Sequence, residues 1–89
     1  MQIQPTERFG KMLLKLPKNI QKETLDAIEN VLNATSITDI AHLKSLKGYP
    51  NYYRIRVGQY RMGIFWDDLR FIAEKVATRG DFYKGYPPK

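Results

Sequence analysis

The chain has 89 residues, which suffices for one small domain over 1–89 and excludes a two-domain protein. It contains no cysteine, which excludes disulfide scaffolds, thiolate metal sites and cysteine nucleophiles. The net charge is +6, and residues 44–61 contain five basic side chains and no acid. No segment resembles the apolar core of a signal peptide or approaches membrane-spanning length, so we expect a cytoplasmic protein without a membrane partner.

The N-terminal third predicts a strand followed by a helical hairpin. Residues 1–4 alternate weakly in hydrophobicity and predict a short first strand. Thr6 is a candidate N-cap, and apolar residues then recur at helical spacing over 9–16. Pro17 ends this helix because the residue before a proline avoids the helical region. A second apolar stripe predicts a helix over 18–33.

The segment between the hairpin and the next periodic region has weaker signals. The polar residues 33–39 indicate a loop. For residues 40–50 we predict a turn of helix around Leu43 and Leu46, ending before Gly48.

From residue 52 the hydrophobic period changes to two, which predicts strands. Two alternating runs, 52–57 and 60–66, flank Gly58-Gln59, which is typical of a two-residue type II′ hairpin turn. A third strand over 69–78 follows a turn at residues 67–68. Its alternation leaves open which residues face inward: Phe71 and Ala73, or Ile72 and Val76.

These elements predict an α+β fold in which a two-helix hairpin packs on one face of a small, mainly antiparallel sheet. We expect the helices to cover the face that bears Ile55, Val57 and Met62. The opposite face, which we call the arginine face, would then stay open.

The arginine face is named for Arg54, Arg56 and Arg61, which the hairpin register places together. If Gly58-Gln59 is the turn, Arg56 lies directly opposite Arg61, and like charges so placed are destabilising. A solvated outer face is the ordinary interpretation, since antiparallel sheets commonly expose one side. An anionic ligand explains the pairing better, because guanidinium groups suit phosphate oxygens.

Further side chains extend this predicted anion site. Arg79 comes just after the third strand, and Tyr83 adds an aromatic ring of the kind that stacks on a nucleic-acid base. Lys44 and Lys47 fall in the same acid-free run, so we assign them to phosphate binding together with Arg54 and Arg56.

The segments "LKSLKGYPNYYRIRVGQYRMGIFW" and "FIAEKVATRGDFYK", preceded by a hairpin containing "LPKNIQ", resemble the RelE/ParE superfamily of bacterial toxins from type II toxin–antitoxin systems. The resemblance covers nearly the whole chain. It implies a RelE-like fold, with a first strand, two helices and a C-terminal three-stranded meander. RelE-type members are metal-independent, ribosome-dependent endoribonucleases that cut messenger RNA by attack of the ribose 2′-OH on the adjacent phosphate.

The resemblance also implies roles for individual residues. The basic residues of the first meander strand fall on Arg54 and Arg56, and the remaining family positions fall on Arg61, Arg79 and Tyr83. Many relatives carry a histidine just before the last arginine, where this chain has Thr78.

The acid–base part of the predicted site is therefore less complete than its cationic part. Arg56 does not readily give up a proton. Tyr83 is the best remaining candidate for proton transfer, because nearby arginines would favour its phenolate. Glu74 is an alternative only if the third strand turns it toward Arg61, and an ion pair with a neighbouring cation is its more ordinary interpretation.

The other polar residues carry no chemistry in this interpretation. His42 has no visible partner and is expected to be a surface histidine. Asp67, Asp68 and Asp81 are expected to be solvated loop acids, and we predict no metal and no cofactor.

Three functions stay open at this point. The first is an RNA-cleaving toxin acting on messenger RNA and the ribosome, which the joint presence of Arg61, Arg79 and Tyr83 favours. The second is a ParE-like toxin that poisons DNA gyrase, and the third is a non-catalytic relative that only binds its antitoxin. In each case we expect an acidic cognate antitoxin as partner in a hetero-oligomer.

Overall fold

A computed structural model gives the fold of residues 1–88, and Lys89, the last residue of the predicted domain, lies outside the described part. In chain order the elements are β1 (Ile3–Pro5), α1 (Glu7–Leu14), α2 (Lys18–Asn33), a 3₁₀ turn (Ile37–Asp39), β2 (Leu43–Ser45), β3 (Tyr52–Val57), β4 (Tyr60–Trp66), β5 (Phe71–Thr78) and α3 (Arg79–Phe82). Within residues 1–88, no helix is both long and apolar enough to cross a bilayer.

The five strands form one sheet in the order β1-β5-β4-β3-β2. β1 runs parallel to β5, and every other neighbouring pair is antiparallel. The N-terminal strand, the helical hairpin and the three-stranded meander are thus confirmed. Thr6 caps α1 as expected, because its hydroxyl accepts a hydrogen bond of 3.0 Å from the backbone N–H of Phe9.

The predicted hairpin register is confirmed residue by residue. Gly58 has a φ of 59°, which a two-residue turn of type II′ requires at its first position. Arg56 therefore pairs with Arg61, and Arg54 pairs with Gly63. The helices pack on the other face, as predicted, where the buried core residues include Phe9, Val31, Ile55, Val57, Met62 and Ile64.

A β-bulge resolves the open question about β5. Gly63 pairs with Lys75 and the next residue, Ile64, pairs with Ala73, so Glu74 is an extra residue in the ladder. The extra residue shifts the alternation, and the inward-facing set becomes Phe71, Ala73 and Val76. The alternative with Phe71 and Ala73 facing inward is therefore confirmed, and of the other pair only Val76 faces inward.

The predicted helical turn around Leu43 and Leu46 is wrong. Leu43–Ser45 is strand β2, whose central residue Lys44 pairs with Arg54. Pairing satisfies backbone groups along the edge of β3 that a helical turn would have left exposed. His42 before the strand has a φ of 63°.

The prediction that the arginine face stays open is wrong for half of that face. After β5 the chain folds back across the sheet, and Phe82 and Tyr86 of this segment are 0% and 7% exposed. Their rings lie against Gly63, which has no side chain to keep them away. The room that glycine leaves opposite Arg54 is thus occupied by the protein's own tail. The half nearest the Gly58-Gln59 turn remains accessible.

Candidate active site

The accessible half of the arginine face is built on the β3–β4 hairpin. Arg56 and Arg61 are direct cross-strand partners, and Arg54 lies two residues further along β3 on the same side. Arg56 is exposed, whereas Arg54 and Arg61 are half-buried. The structure therefore brings together the three arginines that the alternation pattern predicted.

Arg61 is held in place by its own hairpin. One terminal nitrogen, Nη1, donates hydrogen bonds of 3.2 Å to the carbonyl of Gly58 and 3.0 Å to the carbonyl of Tyr60. Burial lowers the pKa of Arg61, and the positive charges of Arg54 and Arg79 lower that pKa further. A guanidinium fixed in this way is a preorganised donor for a bound anion.

Arg79 reaches the same place because β5 passes directly into α3. The backbone N–H of Arg79 donates a hydrogen bond of 3.0 Å to the carbonyl of Gln59 in the hairpin turn. Thr78 is the N-cap of α3, and its hydroxyl accepts from the backbone N–H of Asp81 at 3.4 Å. The residue at this position thus shapes the turn that aims Arg79.

An open cleft of about 660 Å³ lies between the hairpin turn and the start of α3. It is lined by Arg56, Gly58, Gln59, Tyr60, Arg61, Thr78, Arg79 and Gly80. Within residues 1–88 the ion pairs join Lys11 to Glu7, Arg70 to Asp67 and Lys84 to Asp81. None of the three arginines that line the cleft has a carboxylate partner in this part of the chain, so their charge is available to a ligand.

Tyr83 stands at the margin of this cluster. Its side chain is 50% exposed, and its ring packs edge-to-face on the buried ring of Phe82 with 4.9 Å between centroids. Tyr83 is also close enough to Arg61 to raise the pKa of that guanidinium, against the effect of the neighbouring arginines. An exposed ring fixed on a buried one suits stacking on a nucleic-acid base.

Glu74 does not face the cleft, and it makes no ion pair within residues 1–88. The residue that pairs with Arg61 on β5 is Ala77. The Glu74 carboxylate instead accepts a hydrogen bond of 3.0 Å from the Tyr86 hydroxyl. Burial, and then the negative charge of Glu74, raise the pKa of Tyr86. Both sequence-based interpretations of Glu74 are therefore wrong, because it anchors the tail that carries Tyr83.

The two lysines that we predicted to bind phosphate lie at different clefts. Lys44 is exposed beside Arg54 on the arginine face. Lys47 lies in the loop between β2 and β3 and lines a different cleft with Tyr49 and Asn51.

His42 lies closer to the arginines than the sequence suggested. It is exposed, as expected, but its carbonyl accepts a 3.4 Å hydrogen bond from the backbone N–H of Arg56. Its ring nitrogen Nδ1 lies 3.5 Å from Nη2 of the same arginine. A turn of helix around Leu43 and Leu46 does not predict this contact, because the strand pairing of β2 creates it.

The acidic loop residues have local structural partners. The Asp67 carboxylate accepts hydrogen bonds of 3.0 and 2.8 Å from the backbone N–H groups of Leu69 and Arg70. Asp81 pairs with Lys84 at 3.3 Å, and Asp68 has a φ of 75° in the turn. Within the described residues, no group of three or more histidine and carboxylate side chains is arranged to hold a metal ion.

Comparison with known proteins gives close relatives, although no protein-family model matches the sequence. The chain is 38% identical over 88 residues to toxin RelE3 of Methanocaldococcus jannaschii, which covers 98% of this chain and 100% of the relative. It is similar, with 36% identity and a TM-score of 0.79, to a chain of the RelB–RelE antitoxin–toxin complex from Methanococcus jannaschii, covering 94% and 99% of the two chains. A chain of the archaeal RelE–RelB complex from Pyrococcus horikoshii OT3 shares the fold, with a TM-score of 0.70, 23% identity and coverage of 89% and 94%.

Proposed function

Because the chain belongs to the RelE family of toxins, we propose that it is the toxin of a type II toxin–antitoxin pair and cleaves messenger RNA on the ribosome. The observation that carries this proposal is the open cleft where Arg56, Arg61 and Arg79 converge. Three arginines without a carboxylate partner in residues 1–88 form a site for a highly charged anion.

The proposed reaction is attack of a ribose 2′-OH on the adjacent phosphorus. The O2′–P bond forms, the P–O5′ bond breaks, and negative charge grows on the two non-bridging oxygens in between. Arg61 suits the stabilisation of that charge, since its two backbone hydrogen bonds hold it before substrate arrives. A preorganised donor costs little reorganisation during the reaction.

The remaining residues would bind and orient the RNA strand. Arg56 and Arg79 line the cleft with Arg61 and would bind the scissile phosphate. Arg54 and Lys44 extend the positive surface and would bind neighbouring phosphates of the RNA. Tyr83 would stack on a base beside the cut. The presence of Arg61, Arg79 and Tyr83 at one cleft favours this reaction over poisoning of DNA gyrase.

The partner in this proposal is an acidic antitoxin that forms a hetero-oligomer with the toxin. The net charge of +6 and the similarity to a chain of an antitoxin–toxin complex support it. Opposite potentials would speed association and fix the orientation of the two chains.

The decisive variant is Arg61→Ala. Removing one preorganised donor typically costs about 100- to 1,000-fold in rate, so growth arrest should disappear. The protein should stay folded, because the change relieves the repulsion between Arg56 and Arg61. Cleavage of a ribosome-bound messenger RNA measures activity, and circular dichroism measures folding. Arg8→Ala, an exposed arginine on α1 outside the cleft, is the matched control and should cleave at the wild-type rate.

A modified substrate tests the chemistry itself. RNA with a 2′-deoxy group at the cut site lacks the nucleophile and should resist the wild-type protein. Growth arrest without RNA cleavage, or equal cleavage of the deoxy substrate, would overturn the assignment.

A further inference from the structure

The cleft contains cations and has a hydroxyl proton donor, Tyr83, at its margin, but it lacks a proton acceptor suited to neutral pH. Its arginines keep their protons throughout the physiological range. Thr78 is occupied as a helix cap, and Glu74 accepts the hydrogen bond of Tyr86. The whole chain has one histidine and no cysteine, so His42 is its only imidazole. Imidazole is the side chain best suited to exchange a proton near neutrality.

The sheet places His42 beside the cleft. The residue directly after it, Leu43, pairs with Ile55, and the backbone N–H of Arg56 bonds to the His42 carbonyl. His42 lies at the edge of the sheet, where it lines a cleft of about 260 Å³ with Lys44, Arg54 and Arg56 and also borders a second cleft beside α2. The φ of His42 is 63°, in the left-handed region that few residues with a β-carbon occupy.

His42, Arg56 and Arg61 form a row across three neighbouring strands. Strands lie about 4.8 Å apart, so the row is roughly 10 Å long. A phosphate bound by Arg56 and Arg61 would have His42 beside Arg56 and Tyr83 near Arg61. In an in-line displacement the entering and leaving oxygens lie on opposite sides of phosphorus. His42 and Tyr83 would then each be available to one of the two oxygens.

We propose that His42 is a catalytic residue, the general base that takes the proton of the attacking 2′-OH. The inference rests on the proposed RNA cleavage. The 2′-OH proton passes to the imidazole as the O2′–P bond forms. The P–O5′ bond breaks, and O5′ takes the proton of the Tyr83 hydroxyl. The products are a 2′,3′-cyclic phosphate and a 5′-OH, and the proton on His42 returns to Tyr83 through solvent.

Arg56 links binding to this step. Without RNA, its Nη2 faces Nδ1 of the imidazole at 3.5 Å. A phosphate oxygen is a stronger partner for a guanidinium than an imidazole nitrogen is. Arg56 therefore turns to the phosphate when RNA binds, and Nδ1 becomes free to accept the proton.

The test compares His42→Gln and His42→Ala with the wild type in single-turnover cleavage of ribosome-bound messenger RNA. Glutamine retains a side-chain acceptor for Arg56 but cannot take a proton. Both variants should lose about 100-fold or more in the rate constant, as loss of a general base typically costs. Added imidazole should partly restore His42→Ala.

The pH profile separates proton transfer from positioning. If His42 takes the proton of the 2′-OH, the wild-type rate should rise with pH on the acid side of its profile, and this limb should be absent from both variants. The charged groups that face His42 are Lys44 on β2, Arg54 and Arg56 on β3, and Glu23 and Asp26 on α2. None of them is changed in either variant.

The outcomes distinguish this inference from the function on which it rests. If the wild type cuts RNA and His42→Gln cuts it equally fast, His42 only positions Arg56 and the inference falls while the ribonuclease stands. The same holds if His42→Gln restores what His42→Ala loses. If the wild type does not cut RNA, both proposals fall together.

Discussion

Replacing Gly63 with alanine should destabilise the protein and release its C-terminal segment. An added β-carbon would lie 2.5 Å from Cε2 and 2.7 Å from Cζ of Tyr86, and 3.0 Å from Cε1 of Phe82. Relief of the contact requires the Tyr86 ring to withdraw by about 1 Å. The ring has little freedom to do so, because its hydroxyl is bonded to Glu74 and its face packs on Phe82. Gly63 itself lies in β4, paired on both sides.

Overpacking of this kind typically costs about 1–3 kcal/mol. For a domain of this size the midpoint of thermal unfolding should fall by roughly 5–20 °C. Differential scanning calorimetry measures the shift. Gly80→Ala is the matched control, because a β-carbon there has no heavy atom within 4 Å, and we expect its midpoint to be unchanged or slightly higher. Since Tyr83 lies between Phe82 and Tyr86, Gly63→Ala should also reduce RNA cleavage.

A double variant tests whether contact with Tyr86 causes the loss of stability in Gly63→Ala. If Tyr86 is the obstacle, Tyr86→Ala should destabilise the wild type but cost little further stability in the Gly63→Ala background. Wild-type stability of Gly63→Ala, or full additivity of the two changes, would refute the close packing of the tail on β4.

Three further predictions concern the scaffold. Gly10→Ala in α1 should stabilise the protein by about 0.5–1 kcal/mol in urea unfolding, because the site has open space and alanine favours helix. Thr6→Ala should cost about 1 kcal/mol in the same assay through loss of the α1 cap. Backbone hydrogen bonds from Arg70 and Leu69 lower the pKa of Asp67 below its unfolded value. The stabilisation by the ionised Asp67 carboxylate should therefore be complete above about pH 4 and be lost as the pH falls further. Asp67→Asn should remove this pH dependence from the free energy of unfolding measured in urea.

The elements that the sequence predicts well are those whose signals are local. Gly58 and Gln59 determine the register of β3 and β4, because a two-residue turn leaves only one pairing of the flanking alternation. That register also places Arg54, Arg56 and Arg61 together on one face. Thr6 and Pro17 likewise mark helix boundaries, Thr6 through the hydrogen bond that its hydroxyl accepts and Pro17 through its restricted backbone.

The elements that the sequence does not predict depend on partners far away along the chain. β2 has three residues and no clear alternation, and it becomes a strand because β3 offers an unpaired edge. The bulge at Glu74 depends on the tail, since the carboxylate bonds to Tyr86 across 12 positions of sequence. One signal was present: Gly63 in a central strand and an aromatic tail both predict a close approach of one segment to another.

The position of β5 has a consequence for how the chain folds as it is made. β5 pairs with β1 at residues 3–5 and with β4, and it also contacts α1 and α3. A growing chain that ends before residue 71 therefore lacks the strand on which the first strand and the first helix pack. Contacts between such distant positions form late, after the entropy of closing the long loop between them has been lost. Arg79 and Tyr83 are also synthesised after β5, so a nascent chain has neither a finished sheet nor a complete cleft while it is being translated. A protein proposed to cut the messenger RNA of translating ribosomes would therefore lack a complete site until most of its own chain has been synthesised.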